Sequence, residues 1–276
     1  MGEEDWPEPR PLPWRVLARF DWATDLSQVS GSRFDAVVLY HSVGGVRGTD
    51  YRWDLSVEQF RAQIERLNAR YEVVDLATLV DRPNAGRKRV AVTFDDAFRN
   101  VYRNAVPVLR EFDLPATVFA CPSYVGDENV ERLRNRHDLP ASASEIVMTE
   151  PQLQDLADDD RFAIGNHTAT HPDLTSLDDT DALRAEIEGT KATLEDRFGV
   201  AVDRFSYPYG AVDDAAAAVV AETHDLAVTS VPTLVDGAPD PQRIPRLDAC
   251  QPASVLAFET TDLAERIRRA VRRISP

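Results

Sequence analysis

A chain of 276 residues with 43% hydrophobic residues is long enough to bury one large α/β core and too apolar to remain disordered. Its net charge of −16 and pI near 4.7 argue against a nucleic-acid backbone as partner. Positive charge is almost all arginine, with lysine only at Lys88 and Lys191; many carboxylates, few lysines and abundant alanine suit a protein working in high salt, although a GC-rich genome alone also favours Arg over Lys.

The first residues, MGEEDWPEPRPLPWRV, contain no apolar h-region, and no stretch approaches the ~18 consecutive apolar residues of a membrane span. The expected location is therefore the cytoplasm, with neither signal peptide nor transmembrane segment. Rich in Pro, Trp and charge, residues 1 to 30 read as an extended arm or peripheral strand packed on one domain spanning residues 31 to 276.

FDAVVLYHS predicts a strand ending at His41. SVEQFRAQIERLNARY has apolar residues at helical spacing (Phe60, Ile64, Leu67), opened by Ser56 and Gln59 as a capping box. YEVVDL and KRVAVTF are strands, followed by a helical run from Phe98 to Phe112 that Pro107 should kink. LPATVFA is a strand. The stretch from Ser123 to Thr149 is polar and poorly periodic, and reads as an insertion or long loop. EPQLQDLA is a short helix, RFAIGNH a strand ending at His167, and Asp179 to Phe198 a long amphipathic helix with Leu183, Ile187, Thr190 and Leu194 on one side. VDRFSYP, DLAVTS and QRIPRLDA are further strands, DDAAAAVVAETH a helix, and Ala253 to Arg273 the C-terminal helix.

This alternation of strand and helix, without internal repeat or linker, implies parallel strands joined by helical crossovers. No GxGxxG or GxxxxGK[ST] loop points to a nucleotide fold, so closure into a barrel is preferred to an open sheet. In such barrels chemistry gathers at the C-terminal strand ends. His41, Asp95, Asp96, His167, His171 and the run Tyr207 to Tyr209 all fall there.

In VAVTFDDAFRN a buried strand delivers two adjacent carboxylates to its tip. Asp after a strand can simply cap the next helix; alternatively one carboxylate holds a metal and the other moves a proton. GNHTATHPD sets His167 and His171 four apart, with no glutamate after the first and Pro172 after the second, so a tight turn after a strand suits it better than a metalloprotease helix. Two imidazoles and one carboxylate make a three-ligand face with metal positions left open. Taken singly, such a pair is more often two ordinary histidines.

VTFDDAFRN, IGNHTATHPDL and RFSYPYGA, in that order, resemble the first three motifs of the polysaccharide deacetylase family, the NodB-homology domain of carbohydrate esterase family four. VVLYHSV, LSVEQFRAQIERLNARYEVVDLATL and LPATVFACPSYVG extend the likeness over His41 to Leu247. The resemblance implies a distorted (β/α) barrel of about seven strands. It implies a metal-dependent hydrolase that removes acetyl groups from N-acetylated sugars, with carbohydrate as substrate and one divalent ion, most often Zn2+, as cofactor. Asp96, His167 and His171 would be the ligands, Asp95 the general base, and the Tyr209 backbone N–H an oxyanion donor. Tyr207 and Pro208 would face substrate, and Thr168 would orient its loop.

Three positions depart from the pattern. The Arg that usually holds the base carboxylate is Ser206 here, with Arg204 and Arg246 as candidate substitutes. The His that a later motif supplies as general acid is missing from RIPRLDA; His41, ending a strand on the same face, is the candidate acid or substrate contact, or else a hydrogen-bonded histidine at the rim. The Gly that often follows the paired carboxylates is Ala97.

Elsewhere the residues read as structural. His137 and His224 are expected to face solvent, Cys121 and Cys250 to be buried thiols, and the C-terminal arginines to line a solvated helix face. Tyr207 can pack inside as readily as stack on sugar. Trp6, Trp14, Trp22 and Trp53 are candidate sugar platforms that can equally anchor the N-terminal arm. Two other readings stand beside hydrolysis of an N-acetyl group: a barrel that binds glycan without catalysis, and a deacylase of O-acetyl esters or other small amides.

Overall fold

The computed structural model describes residues 10–25, 27, 34–46, 53–81, 87–127, 130–141, 143 and 145–274. Residues 1–9, and with them Trp6, lie outside the described residues, as do 26 and 28–30 of the expected N-terminal arm.

Strands β1 (Phe34–Tyr40), β5 (Arg89–Phe94) and β6 (Ala116–Ala120) are buried at every position. Their predominantly apolar runs, interrupted by the paired Asp35 and Arg89 and by buried threonines, suit parallel strands covered on both faces, where alternation would leave a polar face without water. The parallel order is β11 (Leu247–Asp248), β1, β5, β6, β7 (Phe162–Asn166), β8 (Arg204–Ser206) and β9 (Leu226–Val228). Val38 of β1 lies between Val92 of β5 and Leu247 of β11. On the far side, Val228 of β9 pairs in parallel with Ile244, whose segment runs on into β11. Residues 244–248 thus close the sheet on itself. Closure by such short strands makes the barrel distorted, as expected.

Shorter strands decorate this frame. β2 (Ser42–Val43) pairs in parallel with β3 (Asp54–Leu55), β4 (Glu72–Val73) pairs in parallel with the start of β5, and β10 (Val235–Asp236) runs antiparallel to β1.

The outer helices follow the sequence pattern closely. In α2 (Val57–Arg70), Ser56 caps the Gln59 N–H, and Phe60, Ile64 and Leu67 face the core. Pro107 sits where expected: a π-turn over Val101–Ala105 precedes α4 (Val106–Glu111), because a mid-helix proline has no N–H to give and its ring displaces the preceding carbonyls. In α7 (Thr180–Phe198) the predicted stripe Leu183, Ile187, Thr190 and Leu194 is buried, and Gly199 ends the helix at φ 67.

Three expectations are corrected. Leu12–Thr24 is helix α1, not an extended arm; its prolines stand at Pro11 and in the first turn at Pro13, where no intrahelical N–H is needed. Trp14 of α1 meets Phe258 edge-on at 5.2 Å, so α1 packs on α9 (Ala253–Glu259). The predicted C-terminal helix is two helices, α9 and α10 (Asp262–Ile274), and the Thr261 hydroxyl between them accepts the Ala264 N–H. The stretch read as a loop contains helix α5 (Val130–Arg136). Its end is stitched to the turn after β5: Arg99 N–H donates to Ile146 O at 2.8 Å and Met148 N–H to Ala97 O at 2.9 Å. Helices α3 (Leu76–Asp81), α6 (Glu150–Ala157) and α8 (Asp214–Thr223) complete the outer layer.

Candidate active site

The site is built where three strands end and the backbone turns sharply. Asp95 N–H still bonds Tyr40 O at 3.0 Å, one residue beyond β5. Then Asp96 and Ala97 take φ of 66° and 47°. Thr168 and His171 after β7, and Tyr209 after β8, also lie in the left-handed region, at 65°, 56° and 60°. Each such residue costs about 1 kcal/mol or more, and the packed strands behind them supply it. Positive φ at Ala97 is also the physical reason for the glycine preference there.

These turns bring Asp96, His167 and His171 together, all buried, with one donor atom from each within 4.8 Å of the others. His167 Nε2 and His171 Nε2 are 3.1 Å apart, and they lie 3.6 and 3.8 Å from Asp96 Oδ1. Tetrahedral zinc donors at their usual bond lengths stand about 3.3 Å from one another, so the three atoms span a cation of that size. His167 Nδ1 lies 2.8 Å from Ser206 O and must donate to it, which leaves Nε2 with its lone pair facing the other donors. The donor set fits a divalent metal.

Asp95 is held apart from this group. Arg246 Nη1 donates to Asp95 Oδ1 at 2.8 Å and Arg246 Nη2 to Oδ2 at 2.7 Å, a two-pronged ion pair. Ser206 Oγ donates to the same carboxylate at 3.2 Å and accepts from Arg246 Nη2 at 3.0 Å. Arg246 Nε donates to Thr229 O at 2.9 Å, which fixes the guanidinium plane. Burial alone would raise the Asp95 carboxyl; the Arg246 guanidinium, then His167 and His41, hold it below the usual carboxylate range. Asp95 Oδ2 is 3.9 Å from His167 Nε2, so an ionised carboxylate stands beside the three-donor cluster. Of the two candidate substitutes for the missing Arg, Arg246 reaches Asp95, whereas Arg204 turns to Asp75 at 2.8 Å.

His41 follows β1 on the same rim, its ring 4.9 Å from Trp53 and near enough to Asp95 to stabilise the carboxylate. Tyr209 is half-exposed, and its ring meets His171 edge-on at 4.8 Å. Gly210 beside it has no room for a side chain, since a Cβ would stand 2.7 Å from Ser230. Tyr207 and Pro208 are buried; Tyr207 packs against Phe205 at 5.1 Å, so packing prevails over stacking on sugar. Thr168 Oγ1 accepts the His171 N–H at 2.9 Å, and Asn166 Oδ1 accepts the Thr168 N–H at 2.8 Å, which ties the histidine loop down.

Two histidines expected in solvent are buried. His137, just past α5, is 8% exposed, meets Phe98 edge-on at 5.1 Å, and places Nε2 3.6 Å from Asp96 Oδ2. Leu133 lies one helical turn before it, and this shared apolar face was the available signal. His224 is 2% exposed and lies 3.1 Å from the Asn166 amide. Both cysteines are free thiols: Cys121 donates to His167 O and Cys250 to Trp53 O, each at 3.0 Å. Trp14 and Trp22 contact Phe258 and Arg66, in keeping with anchoring rather than sugar stacking.

Comparison with known proteins points to one family. The chain is 22% identical over 173 residues to the poly-β-1,6-N-acetyl-D-glucosamine N-deacetylase of Staphylococcus aureus, covering 59% of this chain and 56% of the relative. It spans 56% to 64% of the length of the first curated relatives it matches. The structure of IcaB from Ammonifex degensii superposes with a TM-score of 0.69 at 20% identity, over 83% of this chain and 97% of that one. A polysaccharide deacetylase from Bacillus cereus gives 0.67 at 23% identity, over 83% and 69%. The polysaccharide deacetylase family model matches residues 82–227. With the barrel, the motif order and the match over half of its length in agreement, the chain belongs to the polysaccharide deacetylase family.

Proposed function

We propose that the chain is a metal-dependent deacetylase that hydrolyses the amide of an N-acetylated sugar. The observation that carries this reading is the convergence of Asp96, His167 and His171, with ionised Asp95 clamped beside them by Arg246. The S. aureus relative, named for N-deacetylation of a β-1,6-linked glucosamine polymer, favours an amide over an ester.

Asp96 and the two Nε2 atoms would hold the cation, which when bound supplies Lewis acidity to the acetyl carbonyl and to the attacking water. Asp95 takes the proton from that water; its depressed basicity keeps it unprotonated at neutral pH. The Tyr209 N–H faces the developing oxyanion from a backbone already locked in the left-handed turn. His41, on the same rim as Asp95, returns a proton to the departing amine. The half-exposed Tyr209 ring is an aromatic surface at the site that a sugar can reach.

The test is acetate release from N-acetylglucosamine oligomers, with loss on chelation and recovery on adding zinc. Asp95→Asn is expected to lower turnover by at least about 100-fold, the scale of general-base catalysis, while metal content stays at one ion per chain. Normal hydrolysis by the Asn variant would remove Asp95 from the mechanism. Metal-independent release would remove the cation. Esterase activity on acetyl esters alone would move the substrate from amide to ester. A barrel that only binds glycan is the reading favoured by two departures, the missing arginine and the missing general-acid histidine; Arg246 against Asp95 supplies the first, and the acetate assay decides whether His41 supplies the second.

A further inference from the structure

We propose that His137 is a positioning residue for the cation site, holding the outer oxygen of Asp96 so that the inner oxygen alone faces the metal. The inference rests on the metal-dependent reading above. Three imidazoles surround the Asp96 carboxylate, and they divide its two oxygens. His167 and His171 approach Oδ1 at 3.6 and 3.8 Å, whereas His137 approaches Oδ2 at 3.6 Å. His137 falls outside the group whose donor atoms converge within 4.8 Å. Its Nε2 therefore stands apart from the three converging donor atoms and meets the carboxylate through its other oxygen.

The burial of His137 is built, not incidental. The residue follows the last turn of α5, where its N–H bonds Leu133 O at 3.0 Å, and Leu133 is fully buried. Phe98, from the same turn as Asp96, lies edge-on to the imidazole at 5.1 Å. The bridge between Phe98 and Val147 fastens the inserted segment to that turn at its other end. The segment from 122 to 149 thus carries a histidine onto the back of a ligand that itself sits at φ 66°. At 3.6 Å the contact is longer than a hydrogen bond and acts electrostatically: an Nε2 proton facing Oδ2 draws the negative charge of Asp96 toward one defined orientation. Outer contacts of this kind tune metal affinity and fix which ligand atom is presented.

The experiment uses the full chain, stripped with chelator and titrated with Zn2+ in competition with a chromophoric chelator, and with Co2+ followed by visible absorption. His137→Leu is expected to weaken Zn2+ binding about 10- to 100-fold, and His137→Gln by less, because its amide N–H can also face Oδ2. The Co2+ band positions should stay those of the wild type in both variants. Wild-type Zn2+ affinity in His137→Leu would overturn the proposal. A Co2+ spectrum altered in both variants as for loss of a nitrogen donor would make His137 a ligand and overturn it equally. Failure of the wild type itself to bind either metal would instead sink the metal-dependent reading. A measurement free of folding effects is the 15N spectrum of zinc-loaded wild type: His137 should carry its proton on Nε2, and a bare Nε2 would overturn the proposal.

Discussion

Arg246 and Ser206 have exchanged work. The third motif of the family usually carries its arginine at position 206, yet here the guanidinium comes from the segment closing the barrel and meets the same carboxylate. Ser206 Oγ still touches both partners, so the two positions are neighbours around one carboxylate. Arg246 is 1% exposed and Asp95 4%, so neither charge has water in reserve. Arg246→Leu should therefore cost about 3–5 kcal/mol of stability, because it strands a buried charge. It should also release Asp95 from its depressed range, so that burial prevails and its pKa rises. The acid limb of kcat/KM for acetate release then moves to higher pH. Placing an arginine at the family position, Ser206→Arg with Arg246→Ser, is expected to move the limb back. An acid limb that stays put in Arg246→Leu would show that the ion pair does not keep Asp95 ionised.

At the scale of elements, the histidine loop hangs on a chain of bonds between β7, α7 and α8. Asn166 donates from Nδ2 to Ile187 O at 2.8 Å and accepts the Thr168 N–H through Oδ1. His224 Nε2, 3.1 Å from that Nδ2, must then be the acceptor, and its proton belongs on Nδ1, which lies 2.9 Å from Thr223 Oγ1. Burial first, then Lys191, pushes the imidazole from 6.5 down to about 4. The unfolded chain thus binds a proton that the folded one refuses, and this contribution is complete above about pH 6.5 and disappears as pH falls to about 4. It amounts to about 3 kcal/mol at most. NMR titration should find His224 neutral at pH 5 with its proton on Nδ1, and urea unfolding should show wild type losing stability relative to His224→Gln over that window. Titration of His224 near 6.5 would contradict this. The strand tips were legible in the sequence because short, mainly apolar runs ending in Asp or His have few other readings. His224 and His137 were not, because their burial is decided by what α8 and α5 pack against. Arg246 could be named but not chosen over Arg204, since which arginine points inward depends on a closing register that exists only in the barrel. Leu12–Thr24 misled because prolines there mark a helix start as well as an extended arm.

At the scale of the whole molecule, 47 acidic against 31 basic residues leave a repulsion that no local pairing removes. Among the described residues many surface arginines are already paired, as in Arg61 with Glu111, Arg110 with Asp155 and Asp159, and Arg184 with Glu222. Exposed pairs of this kind are worth about 0–1 kcal/mol each and weaken with salt. The unpaired carboxylates repel one another over longer distances, and salt weakens that too, the screening length shrinking from about 10 Å at 0.1 M to about 3 Å at 1 M. With an excess of 16 negative charges, repulsion is the larger of the two opposing effects. Raising KCl from about 0.1 to 2 M at pH 7 should therefore raise the unfolding temperature by several degrees, a shift equal to about 1–3 kcal/mol for a chain of this size. Chloride separates this effect from the salting-out that sulfate would add through the apolar core. The control is pH: near the pI of about 4.7 the net charge vanishes, and the gain from KCl should shrink with it. An unfolding temperature that falls with KCl at pH 7, or rises equally at both pH values, would show that the acidic surface is not what salt relieves.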